Sequence, residues 1–353
     1  MAKNIQIQSS SAPCLVYYSE YDNGYAEVNS ERPCNLVLNS NIRNMFKECK
    51  NLAMSLSWFR GNFSFSRVED MVMAFYNCSN LTGSPVCDNN VVYMNSTYYN
   101  CINLTGNPVC GPNVISMLQT YRGCNNLTGS PVCGNNVTSM LGTYRECTNL
   151  TGNPVCGPNV TNMSNAYNMC TNLTGSPVCG DSVVNMSEVY YGCTNLTGNP
   201  ACGSSVVNMC NAYRNCYNLT GPVVVSGYVE NMAYAYYNCS NISSSDLYLT
   251  YNGSNEVNAY QAFYGKPSTS RLNIHVAENG VWNSWLYNAT YLAGEVSWTL
   301  DTGNGVFYNM AKNIYVYYHD IGTFSTINST LLRNALNGRN LNDLTTLTVR
   351  EGV

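Results

Sequence analysis

The stretch at 170–192, CTNLTGSPVCGDSVVNMSEVYYG, is followed at once by CTNLTGNPACG, and the cassette returns every 23 residues. Cysteines fall at 78, 101, 124, 147, 170, 193, 216 and 239, and a second series runs 87, 110, 133, 156, 179 and 202. Methionines (94, 117, 140, 163, 186, 209, 232) and tyrosines (98, 121, 144, 167, 190, 213, 236) keep the same clock, as do rows of Leu and Val. Neither a helical nor an alternating period explains these spacings. One apolar side chain per short segment, repeated at a fixed interval, describes a coil that cannot bury its inner face alone. Such coils stack, and the stack makes one continuous core.

Composition narrows the function. The 353 residues carry 16 Lys and Arg against 20 Asp and Glu, so the net charge of -4 gives no footprint for nucleic acid. Only 10% of residues are charged, and Asn, Ser, Thr, Gly and 29 Tyr supply the polarity instead. No apolar run approaches the ~18 residues of a membrane span, so membrane insertion is not expected. The opening MAKNIQIQSSSAP lacks the apolar centre of a secretory signal, and a signal removed ahead of Met1 is not expected either.

The segments CNNLTGSPVCGNNVTSMLGTYREC (124–147) and NVTNMSNAYNMCTNLTG (159–175) resemble the BspA-like leucine-rich repeats and their Met-rich relatives in bacterial surface proteins and phages. The resemblance rests on C-x-N-L-T, a Pro beside a short apolar stretch, V-x-x-M, and an aromatic three residues before the next Cys. It covers roughly residues 40–290 and implies a right-handed solenoid with a short parallel strand per coil. The expected fold class is therefore a repeat solenoid, with its two- or three-residue strand at Pro-Val-Cys. Residues 1–39 read as a β-rich cap or attachment segment, with strands in IQIQ, CLVYYSE and CNLVLN. Residues 291–353 read as a C-terminal cap, with Ile327, Leu331, Leu332, Ala335 and Leu336 at helical spacing and LTTLTV as a strand. Cys49 precedes Cys78 by 29 residues, so about six residues are inserted there.

Three readings compete for the cysteines. Disulfides need an oxidising compartment. A metal site needs C-x-x-C or nearby His, and the only histidines, His275 and His319, lie off the ladder. Packing treats Cys101, Cys124, Cys147, Cys170 and Cys193 as small buried hydrophobes beside Met140 and Met163. Packing is favoured, because late coils put Val225, Lys266 and Ala289 into cysteine slots. Neither cofactor nor metal is expected. The Asn row through Asn126, Asn149 and Asn172 reads as a buried hydrogen-bonding ladder, its N-L-T sequons poorly exposed.

No nucleotide, zinc-protease or serine-hydrolase motif occurs. The carboxylates Glu69 with Asp70, or Asp181 with Glu188, are the candidates for a glycosidase pair, and they do not recur in phase. The slot after the core tyrosine holds Tyr99, Arg122, Arg145, Tyr191, Arg214 and Tyr237, with Tyr76 and Asn168 in the same row. Its neighbour points inward, so this row should face out as a subunit contact or a sugar-stacking strip. The expected function is a non-catalytic structural or recognition protein, first of all a bacteriophage virion component: a fibre, tail or head-decoration protein. Its partners would be other virion or surface proteins, a host-cell glycan or protein, and further copies of itself. The alternatives are a BspA-type cell-surface adhesin and, behind it, a polysaccharide-cleaving enzyme.

Overall fold

A computed structural model describes residues 36–50, 52–53, 55–200, 202–225, 229–243, 245–249 and 258–266, and the strand segments 3–7, 14–18, 26–28, 272–276, 299–301, 306–309, 314–318 and 348–350. The chain forms two compact units, Met1–Thr174 and Gly175–Val353.

The first unit opens with an antiparallel sheet of β1 (Lys3–Ile7), β2 (Cys14–Tyr18) and β3 (Ala26–Val28), as IQIQ and CLVYYSE suggest. A short parallel pair follows, β4 (Leu36–Val37) with β5 (Phe63–Ser64). The inserted residues before Cys78 form α1 (Leu56–Asn62), capped by the Ser55 hydroxyl accepting from the Trp58 N–H. The second unit holds β6 (Val224–Val225), β7 (Ser245–Leu249), β8 (Leu272–Val276), β9 (Thr299–Asp301), β10 (Val306–Asn309), β11 (Ile314–Tyr318) and β12 (Thr348–Arg350). They make one sheet in the order β12-β9-β10-β11-β8-β7-β6. The helix expected over 327–336 lies outside the described residues; β12 overlaps the end of LTTLTV.

Each 23-residue coil buries the same five side chains. In the coil from Val91 these are Val91, Met94, Tyr98, Cys101 and Leu104, all at 0% exposure. Around them the backbone runs as consecutive tight turns. Thr120 N–H donates to Met117 and Arg122 N–H to Gln119, while the alternate N–H groups of Met117, Gln119, Tyr121 and Gly123 donate to the next coil at 139, 141, 143 and 145. Two positions in this run of turns are left-handed, for example Ser96 and Asn100, Gly142 and Glu146, Asn165 and Met169, and a glycine such as Gly106 or Gly129 is a third elsewhere in the coil. These reversals stop the segment from closing into a helix, so every second N–H faces the following coil.

The parallel bridges between coils lie one residue before the methionine. Asp70, Tyr93, Ser116, Ser139 and Asn162 pair in sequence in the first unit, and Asn185, Asn208, Asn231 and Asn258 in the second. This corrects the strand expected at Pro-Val-Cys, which in the coils from 84 to 179 forms no strand at all. Proline explains the difference, because it has no N–H to give a ladder. Where the slot lacks Pro, with Asn62, Val223 or Asp246 in it, strands do form: β5, β6 and β7.

Candidate functional site

The tyrosine hydroxyls replace the ladder that proline removes. Tyr98, Tyr121, Tyr144, Tyr167 and Tyr190 each donate to the carbonyl of the valine 12 residues earlier, at 2.7–2.8 Å. Each also accepts that valine's N–H at 3.0–3.1 Å. One hydroxyl thus satisfies both backbone groups of a residue with no neighbouring strand. The rings stack from Phe75 to Tyr167 in the first unit, 5.5–5.6 Å apart and within 11° of parallel. In the second unit Tyr190, Tyr213 and Tyr236 stack at 5.3–5.4 Å, within 16° of parallel.

No disulfide joins the described cysteines from Cys49 to Cys239. The first series is fully buried, Cys101, Cys124, Cys147, Cys170 and Cys193 included, and Met140 and Met163 lie beside it in the core. These thiols do more than fill space. The Sγ–H of Cys101, Cys124, Cys147 and Cys170 donates to the carbonyl of the aromatic residue 26 positions earlier, at 2.9–3.0 Å. Burial pushes the Cys49 thiol up to about 11 and Cys239 to about 12, and lifts Cys124 and Cys147 well above the usual range. The second series is half-buried, and burial also raises Cys87 and Cys133 to about 12. Among the described residues no cluster of His, Cys, Asp and Glu has a metal-binding arrangement.

The asparagine row needs a correction. Asn126, Asn149 and Asn172 are exposed, not buried, as are the threonines of their sequons. The row still bonds from coil to coil: Asn149 donates to Asn126 and Asn172 to Asn149 at 3.4–3.5 Å, and Asn103, in the same slot, donates to the Ser79 carbonyl at 2.9 Å. A second row that the sequence reading missed also serves as a ladder: Asn113, Asn136 and Asn159 each donate to a backbone carbonyl of the preceding coil at 2.8–2.9 Å. Asp70, one of the candidate catalytic carboxylates, is engaged by Arg43 at 2.9 Å and accepts from the Val72 N–H.

The outward row is a sequence of stacked side chains, half-buried rather than freely exposed. In the first unit Lys47 lies over Tyr76, Tyr76 stacks on Tyr99 at 4.6 Å, and Arg122 covers the other side of Tyr99 at 5.4 Å. Arg145 turns to Glu146 at 3.1 Å, and Asn168 is buried. In the second unit Arg214 lies 5.8 Å from Tyr191, 5.0 Å from Tyr234 and 4.8 Å from Tyr237, which stacks on Tyr264. Neighbours therefore cover the tyrosine faces within the row, which leaves hydroxyls, ring edges and guanidinium edges outward. A sugar cannot stack on Tyr99 as a free platform would allow.

Coils of 23 residues that share rows of buried Cys, Met, Tyr and Leu define a repeat protein. The sequence matches, over residues 40–151 and 161–275, the family described as Mycoplasma protein of unknown function, DUF285, and the chain belongs to that family. No curated protein matches. Among solved structures, a leucine-rich repeat protein from Bacteroides ovatus ATCC 8483 aligns over 98% of both chains at 12% identity, with a TM-score of 0.32.

Proposed function

We propose that the protein is a non-catalytic structural or recognition element, a right-handed leucine-rich-repeat-like solenoid of BspA type that presents a rigid lateral surface. Interlocked buried rows leave little within a coil to move, which suits a surface held in fixed register. The observation that carries the setting is the thiol ladder. A thiol that donates to a carbonyl has to stay reduced while the chain folds, and reducing conditions are those of a cytoplasm. A bacteriophage virion component (fibre, tail or head-decoration protein) folds in the host cytoplasm and leaves by assembly and lysis, which fits. The second reading is a cell-surface adhesin.

Fractionation of a producing culture tests the choice. The protein should band with particles released on lysis; recovery in the cell envelope instead would replace the virion reading with the adhesin. Release of new reducing ends from a bound polysaccharide would overturn the non-catalytic reading.

A further inference from the structure

Two groups of arginines stand out among the described residues. Arg43, Arg60 and Arg145 each hold a carboxylate, on Asp70, Asp88 and Glu146, at 2.9–3.2 Å. Arg122 and Arg214 occupy one slot of the coil, half-buried against tyrosine rings, and neither has a carboxylate partner among the described residues. The Nε of each is closed off from solvent with no acceptor. A guanidinium offers five donors in a planar fork that matches an oxyanion edge. Among the described residues Arg122 has no acceptor for any of them, and Arg214 has one, from Nη1 to the Asn211 Oδ1 at 3.1 Å. The buried Nε lies out of reach of any ligand, so what each arginine offers a ligand is its outer Nη edge.

We propose that Arg122 in the first unit and Arg214 in the second receive the oxyanions of an acidic polysaccharide. The inference rests on the outward row being a recognition face, and it names the ligand class. A hydroxyl-rich polymer suits the surroundings. The backbones hydrogen-bonded to Arg122 belong to Gln119 and Asn100, both neutral and half-buried. The tyrosine faces, which would anchor the apolar side chains of a peptide, are already covered within the row.

Titration of the full chain with an oligogalacturonate, a sulfated galactan and neutral dextran, at about 50 and 300 mM salt, tests the proposal. One or both charged polymers should bind, more weakly at the higher salt, and dextran should not. Binding of the uronate alone assigns carboxylate, and of the galactan alone assigns sulfate. Arg122→Gln and Arg214→Gln should each weaken binding about tenfold. Arg60→Gln removes the same charge from outside the row and should leave binding unchanged. Melting curves of every variant, the Arg122/Arg214 double variant and Tyr237→Ala included, establish that they fold. Failure of both charged polymers to bind overturns the proposal, as does full affinity in the double variant or an equal loss in Arg60→Gln. If dextran binds and Tyr237→Ala abolishes it, the row remains a recognition face and the acidic-ligand assignment falls.

Discussion

The Tyr144 hydroxyl closes both hydrogen bonds of Val132: it donates to the carbonyl at 2.7 Å and accepts the N–H at 3.0 Å. Pro131 stands just before, where a neighbouring strand would otherwise have found a donor. Tyr236 occupies the same row, but the valine it would serve, Val224, is already paired in β6 with Asp246. Its buried hydroxyl accordingly has no partner.

The two tyrosines should therefore respond oppositely to loss of the hydroxyl. Tyr144→Phe strands two buried backbone groups and should cost about 1–3 kcal/mol, read as a lowered denaturation midpoint. Tyr236→Phe removes an unmet polar atom and should be neutral or stabilising. Equal losses in both would refute the hydroxyl-for-ladder exchange.

Glycines separate by position. Gly129 has φ +82, and a Cβ there would run into the Asn107 side chain of the preceding coil. Gly129→Ala should therefore lower stability by about 2 kcal/mol or more. Gly61 lies inside α1 with nothing within 4 Å of a Cβ, so Gly61→Ala should stabilise by about 0.5–1 kcal/mol. Thermal melts of the two variants should move in opposite directions.

A third prediction concerns an exposed methionine. Met169 has φ 63, in a slot that other coils fill with Gly123 and Gly192. Met169→Gly relieves the left-handed strain and should stabilise by up to about 1 kcal/mol, read as a raised midpoint. A lowered midpoint would mean that its exposed side chain contributes more than the strain costs.

High pH should unfold the protein cooperatively. Burial holds the folded thiols of Cys49 at about 11 and of Cys87, Cys133 and Cys239 at about 12, against an ordinary 9.0. These pKa values are raised, so the stability they report is fully present below pH 9. It falls as the unfolded chain ionises and is exhausted once the pH passes the folded values. Each thiol removes about 1.4 kcal/mol per pH unit in that window. Melts at pH 8, 9 and 10 should show a small first drop and a steep second one.

The 23-residue clock was legible because buried side chains recur with it, and the structure buries Met140, Tyr144, Cys147 and Leu150 as the rows imply. The direction of hydrogen bonds was not, since periodicity carries no information about donors. Hence the ladder was placed at Pro-Val-Cys, although the missing proline N–H was itself a signal against it. Asn149 and Asn136 look alike in sequence, and only the backbone around them decides which meets a carbonyl. The outward row was readable as residue types. That Tyr76 and Arg122 cover both sides of Tyr99 was not, because it depends on how side chains of successive coils align.

Thiol labelling is the most direct test of the claim that the cysteines are a reduced packing and hydrogen-bonding device. Protein from its native source would be alkylated without reductant, first folded and then in denaturant, and its intact mass measured. The account predicts that the first-series cysteines resist labelling in the folded chain and that every cysteine from Cys49 to Cys239 takes label once unfolded. Pairs of cysteines that stay unlabelled in denaturant until a reductant is added would be disulfides, and would contradict it.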